Sequence, residues 1–230
     1  KYLILGALSS GFLVYGIALV FGATGTMNFN ELADKLANIA SLGHKSLLMT
    51  GVLLVLVGLG FKMAAVPFQI WAPDVYQGSP TPTTAFLSVG SKAAGVVLLM
   101  RLLGTAIPDL AFNLEKLLMA MAAATILYGS LCAIPQRNLK RLLGYSSIAS
   151  AGYLLLGFAV MNRAGSSAIL YYLAGYLFTV LAAFTVIAVV VQQAGAEDIS
   201  SLAGLAQRSP LLATSLTLAM VSLAGIPPLA

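Results

Sequence analysis

The chain has 230 residues, of which 60% are hydrophobic and 8% are charged, whereas a soluble domain carries about a quarter charged residues. Its net charge of +5 is small and spread along the chain, which argues against nucleic-acid binding. Its single cysteine, Cys132, rules out a disulfide within the chain and a cysteine-based metal site. Apolar runs of about 20 residues predict instead an all-α fold, a polytopic bundle of transmembrane helices.

Hydropathy predicts about seven spanning segments, which we expect to form a single transmembrane domain over residues 1–230. The chain opens without a methionine and closes on "AGIPPLA", which is typical of the start of another helix. We therefore expect it to be a piece of a longer protein. The predicted segments cover residues 2–22, 45–76, 83–104, 113–134, 142–162, 166–192 and 210–226.

Two connections between these segments carry structural information. After the first segment, apolar residues recur at helical spacing opposite Glu31, Asp34 and Lys35. This pattern predicts an amphipathic helix on the membrane surface near 28–42, with an ordinary solvated loop as the alternative. Between the fourth and fifth segments, "PQRNLKR" places three positive charges in one tight turn. Such a cluster favours the cytoplasmic side of the membrane for that turn.

The second segment, residues 45–76, is too long for one straight helix, because it would measure about 48 Å against a hydrocarbon core of about 30 Å. Pro67 predicts a break, since proline lacks an N–H and its ring clashes with the preceding turn. Lys62 lies beside this interruption, and broken helices at mid-membrane depth often form ion sites in transporters. The alternative ends the helix at Lys62 and makes residues 64–78 an extramembrane loop.

The third segment carries Lys92 at its centre. If the span runs from Thr84 to Met100, Lys92 lies about 12 Å from either end, which is more than the roughly 6 Å that a lysine stem can bridge. A central lysine costs about 2.5 kcal/mol or more to insert, so it usually faces a protein interior or a hydrated cavity and carries function. The alternative is a lysine that is neutralised by burial or paired for structure alone.

Lysine suits proton transfer, because a buried amine can lose its proton whereas a guanidinium stays charged. Lys62 and Lys92 on consecutive helices therefore predict a proton relay through intervening water, with Thr84, Ser88 and Ser91 as supporting polar groups. The sequence contains no Gly-rich phosphate loop, Ser-His-Asp set or metal-binding cluster. This absence argues against solution-type catalysis on the chain.

Two long motifs, "VPFQIWAPDVYQGSPTPTTAFLSVGSKAAG" and "NLKRLLGYSSIASAGYLLLGF", resemble the antiporter-like membrane subunits of respiratory complex I, NADH:quinone oxidoreductase. Within that family the subunit N branch is most similar, and the resemblance covers essentially the whole chain. It implies a fold of fourteen helices built from two inverted five-helix repeats. This chain would supply the latter part of the first repeat and much of the second.

The resemblance also implies a function. In that family the lysines matching Lys62 and Lys92 belong to a proton path along the middle of the membrane arm, driven by quinone reduction elsewhere in the complex. The chain would be a subunit of a proton-translocating enzyme, located in the bacterial inner membrane with other membrane-arm subunits as partners. It would bind no redox cofactor itself, because NADH, FMN, iron–sulfur clusters and quinone are expected in partner subunits.

Some positions depart from the family pattern or leave alternatives open. Subunits L and M usually carry histidine where this chain has Gln69 and Ser150, which favours subunit N. Residues 144–147, "GYSS", are interpreted as a helix start that allows close packing, with a direct role in proton uptake as the alternative. Other functions compatible with the sequence are a subunit of a Mrp-type cation/proton antiporter or membrane-bound hydrogenase, and a non-transporting structural spacer.

Overall fold

The computed structural model of the chain describes residues 1–37, 45–160 and 162–226, and for residues 108–113 it describes the backbone alone. Within these residues the chain forms helices and no strand, which confirms the predicted all-α fold. The principal helices are α1 (Tyr2–Thr24), α2 (Phe29–Ala37), α3 (Lys45–Met63), α4 (Trp71–Gly78), α5 (Thr81–Phe86), α6 (Lys92–Arg101), α7 (Pro108–Ala133), α8 (Leu139–Ala159), α9 (Arg163–Ala194), α10 (Leu205–Arg208) and α11 (Pro210–Leu223).

Six helical stretches of the described chain are long and apolar enough to cross a membrane. They correspond to the first six predicted segments, and the seventh appears as α11, an apolar helix of 14 residues. The fourteen-helix fold and the single-domain organisation stay predictions. The six stretches are Tyr2–Thr24, Lys45–Met63, Thr81–Ala106, Leu114–Ala133, Leu139–Ala159 and Arg163–Ala194.

The second predicted segment is broken, as expected from Pro67. Helix α3 ends at Met63, the chain continues without helix through residues 64–70, and α4 begins at Trp71. The backbone turns at Ala64, whose φ of 58° is left-handed. Two hydrogen bonds, from the Ala64 and Ala65 amides to the carbonyls of Phe61 and Gly60, close the end of α3.

The break lies beside the middle of a neighbouring span. The Val66 amide donates a hydrogen bond of 3.0 Å to the Thr125 hydroxyl, and Thr125 is fully buried near the centre of Leu114–Ala133. Ala64 and Ala65 are also buried. An extramembrane loop would not place these groups against the centre of a span, so the broken-helix prediction is confirmed.

Helix α8 is the most enclosed span of the described bundle, because α7, α9 and α4 pack around it. Its Gly152 allows α7 to approach closely: a Cβ at this position would lie 2.6 Å from Cγ1 of Ile126. In contrast, α1 packs mainly against α3 and leaves most of its apolar side chains exposed within the described part of the chain. Polar groups on α8 are therefore shielded from lipid by its neighbours.

A helix occupies Phe29–Ala37 within the predicted amphipathic segment. Its Leu32 and Leu36 side chains are buried in the same hydrophobic core cluster as Leu102 and Ile107, at the end of the third span. Residues 38–42 of the predicted segment lie outside the described residues. The location of this helix at the membrane surface stays a prediction.

Candidate functional site

Lys92 lies near the middle of the span Thr81–Ala106, directly after a π-helical turn at Leu87–Ser91. Such turns are rare and frequently occur at functional sites. Only 2% of the residue is exposed. Residue counting predicts Lys92 at mid-depth in its span, and the structure also shows that its side chain is enclosed by protein.

The Lys92 ammonium is held by Ser147 of α8. Its Nζ donates hydrogen bonds to the Ser147 carbonyl and, at 2.5 Å, to the Ser147 hydroxyl. The Nζ also lies 5.3 Å from the ring centroid of Tyr176 on α9, within the range of a cation–π interaction. Because a buried charge without partners is costly, these neutral groups are what makes the position tenable.

The site joins the helices on both sides of the break. Tyr76 of α4, which is almost fully buried, has its hydroxyl 3.1 Å from the Ser147 hydroxyl. The carbonyl of Tyr76 accepts a hydrogen bond of 3.2 Å from the Thr84 hydroxyl at the start of the third span. Groups from α4, the third span, α8 and α9 thus converge around Lys92.

The predicted supporting residues have different positions. Thr84 and Ser88 are fully buried and precede Lys92 by eight and four positions, so the three lie along one face of the span. The Ser88 hydroxyl donates to the Ala85 carbonyl at 2.7 Å. Ser91 is half-buried, and its hydroxyl makes no hydrogen bond within the described part of the chain. Their supporting role stays a prediction.

Lys62 lies in the last turn of α3 and is half-buried. Its helix contacts the helix of Lys92: a Cβ at Gly95 would lie 3.3 Å from the Cβ of Lys62. Among the described residues the Lys62 ammonium makes no hydrogen bond or ion pair. Pro67 lies in the break, in the wall of an apolar cavity of about 260 Å³. The structure brings the two lysine-bearing helices together, and the relay itself stays a prediction.

Tyr76 and Tyr176 were not found as site residues from the sequence, and Ser147 was named only in the alternative interpretation of residues 144–147. The motif "GYSS" was interpreted as a packing element, and Gly144 does pack closely, since a Cβ there would lie 3.1 Å from the Cα of Pro73. Ser147, three positions later, contacts Lys92 instead. A hydroxyl on an apolar helix was the available signal, but its partner is 55 positions away in the chain.

Two buried polar atoms have no hydrogen-bond partner among the described residues. They are Oε1 of Gln69, within the break, and the hydroxyl oxygen of Tyr176. Buried polar groups are normally satisfied by protein or by ordered water. These two atoms therefore mark positions at which water is expected inside the bundle.

Charged residues at the start of α8 also bind protein groups. The Lys140 ammonium is almost fully buried, forms an ion pair of 2.5 Å with Glu197, and donates to the Ser79 carbonyl at 2.8 Å. Arg141 donates to Asp74 of α4 at 2.7 Å. Hydrogen bonds from Lys1 and then Arg141 hold the pKa of the Asp74 carboxyl below its usual value. These contacts fix α4 and the residues after α9 against α8.

The sequence profile of the family described as "NADH:quinone oxidoreductase/Mrp antiporter, TM" matches residues 1–230, the whole chain. The chain belongs to this family. Members of this antiporter family among the curated proteins include the NADH-quinone oxidoreductase subunits N of Desulforamulus reducens and Moorella thermoacetica. Each is 46% identical to the chain over 230 residues, which is all of the chain and 48% of the relative.

The chain therefore spans about half the length of the curated relatives that it matches. The resemblance to the subunit N branch is confirmed by these relatives. Together with the six apolar spans, they also confirm the expectation of a multi-pass protein of a bacterial inner membrane.

Solved structures with the same fold come from three membrane complexes. Respiratory complex I of Thermus thermophilus contains a chain that is 38% identical, with a TM-score of 0.75 over 99% of this chain and 48% of that one. An archaeal membrane-bound sulfane sulfur reductase contains a chain that is 31% identical, with a TM-score of 0.84 over 99% of this chain and 46% of that one. The Mrp complex of Dietzia sp. DQ12-45-1b contains a chain that is 27% identical, with a TM-score of 0.88 over 99% of this chain and 41% of that one.

Proposed function

We propose that the full-length protein is a proton-translocating membrane-arm subunit of NADH:quinone oxidoreductase, in which Lys62 and Lys92 relay protons while quinone is reduced in other subunits. The observation that carries this proposal is the buried Lys92 ammonium in the middle of a span, bound to both oxygens of Ser147. The names of the curated relatives support the choice of complex.

The surroundings of Lys92 suit reversible protonation. All of its hydrogen-bond partners are neutral, and no carboxylate pairs with it among the described residues. When the ammonium loses its proton, no opposite charge is left buried and unpaired, so the large penalty of a broken buried ion pair does not arise. The Ser147 hydroxyl can rotate and donate to the neutral amine.

The proposal also covers cofactors and partners. The redox groups, namely NADH, FMN, iron–sulfur clusters and quinone, belong to partner subunits, and this chain contributes only the proton path. Its partners are further membrane-arm subunits, which is in keeping with its similarity to chains of multi-component respiratory complexes.

The test is the replacement of Lys92 or Lys62 by methionine, which keeps the stem of the side chain and removes the charge. In vesicles containing the assembled oxidoreductase, we expect each variant to lose quinone-coupled proton uptake. Lys116→Met provides a matched control, because Lys116 is exposed near the start of α7. Normal uptake in the Lys62→Met/Lys92→Met double variant would contradict the proposal and favour a structural spacer.

A second candidate is cation/proton exchange, and the fold similarity to the Mrp complex favours it, with a TM-score of 0.88 at 27% identity. The two candidates differ in their driving reaction. Transport that requires sodium and proceeds without quinone reduction would support exchange, whereas uptake that stops when quinone reduction is inhibited would support the oxidoreductase.

A further inference from the structure

Tyr176 has an unusual position on α9. It is 5% exposed, and its ring lies against the Lys92 ammonium. Its hydroxyl lies beside the Ser147 side chain, but no described residue gives it a hydrogen bond of ordinary length and angle. Leaving a buried hydroxyl unsatisfied is costly. An ordered water that binds two to four polar groups removes that cost.

Tyr176 also lines a cavity of about 290 Å³, whose walls come mainly from α9 and the end of α11. Its ring stacks on Tyr172 at 6.2 Å between centroids, and Tyr172 lies 6.2 Å from Tyr153 of α8. All three rings form part of the cavity wall, to which Thr179 and Ser222 add hydroxyl groups. The cavity is large enough to hold several waters, each of which occupies about 30 Å³ in the liquid.

We propose that the hydroxyls of Tyr176 and Ser147 bind a water molecule that extends the proton route from Lys92 into this tyrosine-lined cavity. This inference rests on the proposed function. It makes Tyr176 a positioning residue for proton transfer, in addition to a packing partner of Lys92, and it continues the route into the cavity between α9 and the end of α11.

The step is balanced as follows. The Lys92 ammonium gives one proton to the bound water and becomes a neutral amine, which the Ser147 hydroxyl can then hydrogen-bond. The water passes one of its protons to the oxygen of Tyr176, whose own proton leaves towards water in the cavity, so the hydroxyl remains neutral. A tyrosine hydroxyl suits this step because it both accepts and donates hydrogen bonds.

Tyr176→Phe tests the inference in the assembled oxidoreductase, since it keeps the ring over Lys92 and removes only the hydroxyl. The loss of one hydrogen bond predicts a fall of about two- to tenfold in quinone-coupled proton uptake. The number of protons taken up per quinone reduced should also fall, whereas a packing defect that only lowers the amount of intact complex would leave this ratio unchanged. Tyr15→Phe is the control, because Tyr15 is 60% exposed on the distant α1.

Lys92→Met separates this inference from the proposed function. Loss of uptake in Lys92→Met together with normal uptake in Tyr176→Phe would overturn the role of Tyr176 and leave the relay proposal standing. Normal uptake in Lys92→Met would overturn both. Should Tyr176→Phe fail to assemble, a density map of the wild-type complex that resolves ordered water decides: water bound at the Tyr176 hydroxyl supports the inference, and a dry hydroxyl overturns it.

Discussion

Two almost fully buried lysines have contrasting partners: Lys92 contacts α8 from the third span, and Lys140 lies in the first turn of α8 itself. Lys140 is paired with the Glu197 carboxylate at the end of the span, and Asn138 donates to the other oxygen of that carboxylate at 3.1 Å. Lys92, in the middle of its span, has only the two oxygens of Ser147 and an aromatic ring. Burial is nearly equal, so it is the partners that differ.

This difference teaches how one bundle can use lysine in two ways. Deprotonation of Lys140 would leave the Glu197 carboxylate without its counter-charge, so the ion pair holds the proton in place. Deprotonation of Lys92 leaves only neutral groups. A buried lysine with neutral partners is therefore suited to exchange a proton, whereas a buried lysine paired with a carboxylate is suited to fix two segments together.

The largest expected effect is that replacing Lys92 impairs proton uptake, whereas replacing Lys140 lowers stability. Lys92→Met should abolish proton uptake and leave the thermal stability of the solubilised complex near that of wild type. Lys140→Met should destabilise the chain by about 1–3 kcal/mol, less than the penalty for a fully buried pair because Glu197 is partly exposed. Proton uptake per assembled complex should remain. The same phenotype for both variants would remove the distinction.

A second prediction concerns Glu197. In the Lys140→Met/Glu197→Gln double variant no unpaired charge remains, so the double variant should recover about half of the 1–3 kcal/mol lost in Lys140→Met. Thermal unfolding of the four members of this cycle measures the coupling. Additive effects would show that the ion pair contributes nothing to stability.

A third prediction concerns the hydroxyl of Ser147. Ser147→Ala removes one of the two oxygens that bind Lys92, and a hydrogen bond to a charged group contributes about 1.5–3 kcal/mol. We expect proton uptake to fall by about tenfold or more. Ser9→Ala is the control, since Ser9 is also buried and its hydroxyl donates to a backbone carbonyl, that of Gly58 on α3. Equal effects of the two variants would contradict the prediction.

The partly exposed ion pair between Asp74 and Arg141 should contribute less than the Lys140–Glu197 pair, about 1 kcal/mol or below. Because the pKa of Asp74 is lowered in the folded chain, its contribution is present above the unfolded value of about 4 and is lost as the pH falls through the folded value. The difference in melting temperature between wild type and Asp74→Asn should thus be constant from pH 7 to pH 5, and shrink below about pH 4. A difference that already disappears near pH 6 would contradict this assignment.

The smallest effect is expected at the contact between the two lysine-bearing helices. Gly95→Ala places a methyl group 3.3 Å from the Cβ of Lys62 and 3.5 Å from Cγ of Met63, which pushes α3 slightly away from the third span. We expect proton uptake to fall by about twofold with normal assembly. Gly104→Ala is the control, because nothing lies within 4 Å of a Cβ at that position. Identical uptake in the two variants would show that the spacing of these helices has no effect.

The sequence predicted the features that depend on local chain geometry. The depth of Lys92 follows from counting residues along one helix, and the break at Pro67 follows from the length of the second segment and from proline's missing N–H. The contacts of Lys92 could not be predicted in this way. Ser147 and Tyr176 lie on other helices, and helical periodicity does not specify which neighbour a face will meet.

The positively charged turn before α8 shows the same limit. From the sequence, Lys140 and Arg141 were interpreted as anchors at the cytoplasmic face of the membrane. In the structure both bind carboxylates, those of Glu197 and Asp74, which lie 57 and 67 positions away in the chain. Charge counting treats each lysine alike, and only the folded chain shows which of them is paired.

Helix α8 holds the third span at two points, which has a mechanical consequence. The Lys140 ammonium donates a hydrogen bond to the Ser79 carbonyl just before that span begins, and the Ser147 carbonyl accepts one from Lys92 at the middle of the span. Two attachments along one pair of helices resist both sliding and rotation of the third span against α8. Residues 64–70, which form no helix, connect α3 to this doubly attached pair.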